Sequence, residues 1–189
     1  MPQILRMLFQ TGVKLDGLIL PGHVCTIIGA NPFEFLAQEF GITGVVSGFA
    51  PEDVIESIET IKQNLHQPSI KIQYKRAVLP YGNKVAQQVI ESVFEPCDIL
   101  WRGFGLVKDS GLAIKQDWSF FDVRKRWPLE PSRLQQRSYD ACCCDDIMKG
   151  ILTPLQCPMF KTSCNPENPL GPCMVSSEGT CAIYYKYGG

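Results

Sequence analysis

"GLILPGHVCTIIGANPFEFLAQEFGITGVVSG", residues 17–48, holds two short apolar runs separated by a helix signal. "GLILP" is the kind of brief apolar run that a strand buried on both faces shows, and "ITGVVSG" is a second one. Between them, "NPFEFLAQEFG" predicts a helix. Asn31 is placed to cap it, Pro32 suits its first turn, and Glu34 follows three residues after the cap. Phe33, Leu36 and Phe40 fall on one helical face, and Gly41 can take the left-handed stop. Strand, helix, strand in this order is the unit of a parallel sheet.

The same alternation continues on either side. Ile4, Leu5, Leu8 and Phe9 form the apolar face of an N-terminal helix that Gly12 can end. "PEDVIESIETIKQNL" predicts a further helix, with Pro51 at its first position and Glu52 and Asp53 complementing the positive end of its dipole. Val54, Ile58, Ile61 and Leu65 are its expected buried stripe. "IKIQY" reads as a strand. A last helix over about Lys84–Phe94 carries Val85, Val89 and Val93 at every fourth place. The predicted fold class is therefore α/β, a parallel sheet with flanking helices over residues 1–116. A connector over 117–141 mixes aromatic, proline and basic residues. Its "RKR" reads as a solvated face rather than a nucleic-acid patch.

Residues 142–189 are of another kind. Seven of the nine cysteines lie there: Cys142, Cys143, Cys144, Cys157, Cys164, Cys173 and Cys181. Apolar residues are too few for an independent hydrophobic core, and prolines and glycines predict a loop-rich module that needs a covalent or metal staple. The start of the chain, "MPQILRMLFQTGVKLDG", shows no secretory signal, so the expected compartment is the reducing cytoplasm. There, metal binding or redox chemistry is favoured over a disulfide net. No apolar run reaches the ~18 residues of a membrane span. The net charge of −1 argues against a nucleic-acid partner held by bulk electrostatics. The paired cysteine knuckles of structural zinc sites are absent, and both histidines, His23 and His66, precede the tail. An iron–sulfur cluster, which takes four thiolates from irregular loops, is favoured over zinc, with both still open.

Four strings carry a family resemblance: "LPGHVCTIIG" (20–29), "GFAPEDVIESI" (48–58), "QYKRAVLPYGN" (73–83) and "NPLGPCMVSSEGTCAIYYKYGG" (168–189). Together they resemble the HypD family of hydrogenase expression/formation proteins over essentially the whole chain. The resemblance implies a scaffold on which the Fe(CN)2CO unit of [NiFe]-hydrogenases is transiently assembled, with a HypC-type small chaperone and a HypE-type cyanide donor as partners. It also implies one [4Fe–4S] cluster in the tail, held by Cys142, Cys157, Cys164 and Cys181. A redox pair, Cys144 with Cys173, would lie beside it. Cys143 stands where the family has an apolar residue and is expected to be incidental, as are Cys25, a small buried hydrophobe, and Cys97, at a helix end. His23 becomes a polar neighbour of the iron-assembly cleft. Family members are roughly double this length, and the "CGTH" and "GPGCPVC" strings of their N-terminal half do not occur here. The resemblance is thus to the C-terminal half, beginning within the second α/β domain, and a separately encoded N-terminal half is an implied partner. Two other readings stay open: a stand-alone iron–sulfur thiol–disulfide oxidoreductase, and an inactive truncated remnant.

Overall fold

The computed structural model describes residues 1–101, 105–127 and 141–188. It divides into two compact units: residues 1–97 with 110–118, and residues 98–109 with 119–189.

The first unit is built on a parallel three-stranded sheet in the order β1 (Gly17–Pro21), β2 (Thr43–Ser47), β3 (Ile70–Ile72). Leu20 faces Val46 across the first ladder, and Val46 faces Ile72 across the second. All five residues of β2 are buried, as expected of a central strand paired on both edges. Parallel neighbours need a crossover connection. Helices α2 (Gly22–Ile28) and α3 (Phe35–Phe40) lie between β1 and β2, and α4 (Pro51–Gln63) lies between β2 and β3. Helix α1 (Pro2–Gln10) adds Phe9 to a core formed with Leu20, Cys25, Phe33, Phe35, Leu36 and Val46.

Several sequence expectations are corrected. Helix α2 was not anticipated, because the β-branched residues Val24, Thr26, Ile27 and Ile28 favour strand. Asn31 is not a helix cap. The amides of Ala30 and Asn31 both donate to the Pro80 carbonyl at 2.9 Å, so the chain is tied down there. Asn31–Phe33 form a 3-10 turn, and α3 begins only at Phe35. Gly41 does end α3 in the left-handed conformation, at φ 67°, and the Ile42 amide returns to the Leu36 carbonyl. In α4 the buried positions are Asp53 and Ser57, while Ile58 is exposed, as is Leu65 just beyond the helix. The helix is turned because Asp53 has buried work of its own, described below. Strand β3 stops at Ile72, where the amides of Gln73 and Tyr74 share the Val46 carbonyl.

Helix α5 (Lys84–Val93) is capped by the Asn83 side chain, which accepts from the Ala86 amide at 3.0 Å. Its expected stripe is not buried: Val85 and Val89 are 70% and 60% exposed. Two further strands, β4 (Phe94–Trp101) and β5 (Gly105–Ile114), form a separate two-stranded sheet that the sequence reading missed. Cys97 lies in β4 rather than at a helix end. Beyond β5 come a 3-10 segment, Gln116–Phe121, and α6 (Val123–Arg126), which carries the exposed "RKR". Residues 128–140 of the expected connector lie outside the described residues.

The tail contains three short helices, α7 (Cys144–Met148), α8 (Pro172–Val175) and α9 (Thr180–Tyr187), joined by turns. Contrary to expectation it has a core of its own. Ile147, Phe160, Leu170, Met174 and Ala182 pack with five buried cysteines. The thiols supply the missing apolar volume, since a protonated cysteine packs as a small hydrophobe. No helix among the described residues is long and apolar enough to cross a membrane.

Candidate functional site

The tail's cysteines come from sequence positions up to 39 residues apart and meet because each sits at the edge of a turn or short helix. Cys144 opens α7, Cys173 lies in α8 and Cys181 in α9. Cys157 ends the 3-10 turn Pro154–Gln156, which is fixed by a capping box in which the Gln156 side chain accepts from the Thr153 amide at 2.8 Å. Cys164 is bridged to Phe160. Cys144, Cys157, Cys164, Cys173 and Cys181 are buried, and Cys142 and Cys143 are partly so.

Within this core the Cys144 and Cys173 sulfurs lie 2.7 Å apart, and the Cys173 and Cys181 sulfurs 3.1 Å apart. The Cys173 amide donates to the Cys144 sulfur at 3.4 Å, and the Leu170 amide to the Cys164 sulfur at 3.5 Å. Gly171 lies next to this group. A Cβ there would lie 3.0 Å from the Cys142 sulfur and 3.1 Å from the Cys144 sulfur, so only glycine leaves the sulfurs undisturbed.

The electrostatics follow from crowding. Burial pushes the Cys142 thiol up to about 11, with the nearby Cys144, Cys157 and Cys164 adding to the rise. The Cys144 thiol is raised first by its hydrogen bond to Cys173 and then by burial. Burial raises Cys181 as well, against the opposing hydrogen bond from Cys173. Cys143 is raised by burial and by the Cys157 sulfur beside it, so the thiol expected to be incidental reaches the edge of the group. Several thiolates could share this pocket only if a cation offset their repulsion; otherwise they stay protonated or oxidise in pairs. Among the described residues no three His, Cys, Asp or Glu side chains already surround a metal position. The donor set, sulfur alone with no histidine in the tail, nonetheless suits iron–sulfur ligation.

In the first unit, His23 stands at the start of α2, where β1 ends, exposed and with its ring 5.4 Å from that of Phe49. The carboxyl edge of a parallel sheet is where α/β folds place ligands. Beside it lies a network the sequence reading missed. The buried Asp53 carboxylate accepts from both terminal nitrogens of Arg76 at 2.9 and 2.5 Å, from Gln73 Nε2 at 2.8 Å and from the Ala50 amide at 3.3 Å. Gln73 in turn accepts from the Gly48 amide at 3.1 Å, and the Arg76 guanidinium lies over the Tyr74 ring. The hydrogen bonds from Arg76 and Gln73 hold Asp53 well below the usual carboxylate range, against burial. This clamp fixes the loop that carries Phe49. Asp53 and Arg76 both fall inside strings on which the resemblance rests, which was the available signal; a pairing across 23 residues has no local signature.

Comparison with known proteins extends this picture. The HypD family model, described as "Hydrogenase formation hypA family", matches residues 1–188. The hydrogenase maturation factor HypD1 of Bradyrhizobium diazoefficiens is 41% identical over 181 residues, covering 93% of this chain and 47% of the relative. HypD2 of the same organism is 41% identical over 179 residues, with the same coverage. The hydrogenase maturation factor HypD of Rhodobacter capsulatus is 37% identical over 194 residues, covering all of this chain and 52% of the relative. The chain spans about half the length of the curated relatives it matches.

Proposed function

The chain belongs to the HypD family, and from that premise we propose that it serves [NiFe]-hydrogenase maturation as the cluster-bearing half of the scaffold for the Fe(CN)2CO unit. The observation that carries this reading is the gathering of the tail's cysteines, five of them buried, into one core. Cys142, Cys157, Cys164 and Cys181 would hold a [4Fe–4S] cluster, which when bound passes electrons one at a time. Cys144 and Cys173, the closest sulfurs of the group, are the dithiol. Reduction of their disulfide takes two electrons and two protons and leaves two thiols.

His23, Phe49 and the Asp53–Arg76 clamp form a rim suited to the assembly cleft. The scaffold acts in the cytoplasm with a HypC-type chaperone and a HypE-type cyanide donor, together with the N-terminal half that the longer relatives carry. The nearness of Cys144 and Cys173 also favours the second reading, a stand-alone thiol–disulfide oxidoreductase.

Protein purified without oxygen should contain about four irons and matching acid-labile sulfide per chain. Zinc without sulfide overturns the reading. The double variant Cys144→Ser/Cys173→Ser should keep its iron and visible absorption but lose a two-thiol change on oxidation and reduction. Loss of iron would make the pair ligands. Turnover of disulfide substrates by the chain alone would favour the second reading.

A further inference from the structure

Cys173 faces two partners at once. Its sulfur lies 2.7 Å from that of Cys144 and 3.1 Å from that of Cys181, and all three residues are buried. The first contact is the dithiol of the proposed reading. The second joins that dithiol to Cys181, a proposed cluster ligand, and has no role in the reading so far.

The local fold is shaped to bring both partners in. Cys173 sits in α8, a single turn of helix preceded by Gly171, and Gly179 precedes α9, which carries Cys181. The Gly179 amide donates to the Ser176 carbonyl at 2.9 Å and closes the turn between the two helices. A Cβ on Gly171 would lie 3.0 Å from the Cys144 Cβ, and one on Gly179 would lie 2.2 Å from the Cys173 carbonyl oxygen. The second distance is shorter than any side chain tolerates, so only glycine lets α9 approach α8 closely enough for Cys181 to reach Cys173.

We propose that Cys173 is a switch thiol with two alternative disulfide partners, Cys144 and Cys181, and that pairing with Cys181 closes the cluster site by withdrawing one of its four ligands. The inference rests on the ligand set of the proposed reading and adds how its loading is controlled. The first disulfide, Cys144–Cys173, forms by exchange with a low-molecular-weight disulfide, which leaves as two thiols. The Cys181 thiolate then attacks the Cys173 sulfur. The bond to Cys144 breaks as the bond to Cys181 forms, and the proton given up by Cys181 goes to the departing Cys144 thiolate. No electrons leave the chain in this second step, so it needs no oxidant. With iron bound at Cys181, Cys173 keeps only Cys144 as a partner. The exclusion is reciprocal: the cluster forbids the Cys173–Cys181 bond, and that bond forbids the cluster.

The test uses the full chain freed of iron by chelation, oxidised with glutathione disulfide, then acid-quenched and mapped by mass spectrometry. Cys173 should be found bonded to Cys144 and to Cys181, whereas the iron-loaded chain should give the Cys144 bond alone. In Cys144→Ser, oxidation should trap Cys173–Cys181 and slow the uptake of iron and sulfide at least tenfold, with full recovery after reduction by dithiothreitol. Cys173→Ser keeps all four proposed ligands and should load at the same rate before and after oxidation. Pairings spread evenly over the seven tail cysteines would overturn the switch. So would an oxidised Cys144→Ser that loads as fast as the reduced one. Cys181→Ser separates the switch from the ligand assignment. If that variant keeps its iron, Cys181 is no ligand and the assignment fails. If it loses iron while Cys144→Ser forms no Cys173–Cys181 bond, the switch alone is removed.

Discussion

The two units are each organised around a buried cluster of ten residues, but the sheet unit's cluster holds one cysteine and the tail's holds five. In the sheet unit, Phe33, Leu36, Leu20 and Val46 remove large apolar surfaces from water, and the lone Cys25 serves as one more small hydrophobe. Burial lifts its thiol to about 11, so it stays protonated at physiological pH. In the tail the apolar members are few, and half of the interior consists of groups that can change chemical state. The first core is held by apolar packing. In the reading proposed above, the second depends on what its sulfurs bind or bond, which would join its folding to metal and redox chemistry.

The largest expected effect separates the two directly. Cys164→Ser should remove bound iron and expose the amides of residues 141–188 to hydrogen exchange, with protection in residues 1–97 unchanged. Collapse of protection in both units would mean that the sheet depends on the tail. Next is Phe33→Ala, which should destabilise the sheet unit by about 3–5 kcal/mol through the cavity it leaves, with the tail's iron unaffected. Urea titration followed by probes in each unit would read the difference, and an equal loss in both would erase the distinction.

A smaller and pH-dependent effect belongs to Asp53. Its folded pKa lies below the unfolded value, so its contribution is fully present above about pH 4 and is lost as pH falls through the folded pKa. Asp53→Asn should therefore lower the urea midpoint at pH 7. The gap between variant and wild type should close as the medium is acidified below about pH 4. A gap that stays constant down to pH 2 would show that the clamp acts through shape rather than charge.

Much was legible because it is written locally. The alternation of β1, α3, β2, α4 and β3 follows from short apolar runs and turn residues, and Gly41 marks its helix end by conformation alone. The kinship with HypD proteins was legible in long unusual strings, and the sulfur-rich chemistry of the tail in its composition. What the sequence could not express were relations between distant positions. Helix α4 turns Asp53 and Ser57 inward, against its apolar stripe, because Arg76 and Gln73 arrive from beyond β3 to satisfy the carboxylate. Helix α5 shows its valines to solvent because Gln87 is bonded to Ile27 and Tyr81 on the opposite side. Periodicity states only that a helix has an apolar face. Which way that face points is decided by hydrogen bonds and packing across the fold, and these exist only once the chain has closed on itself.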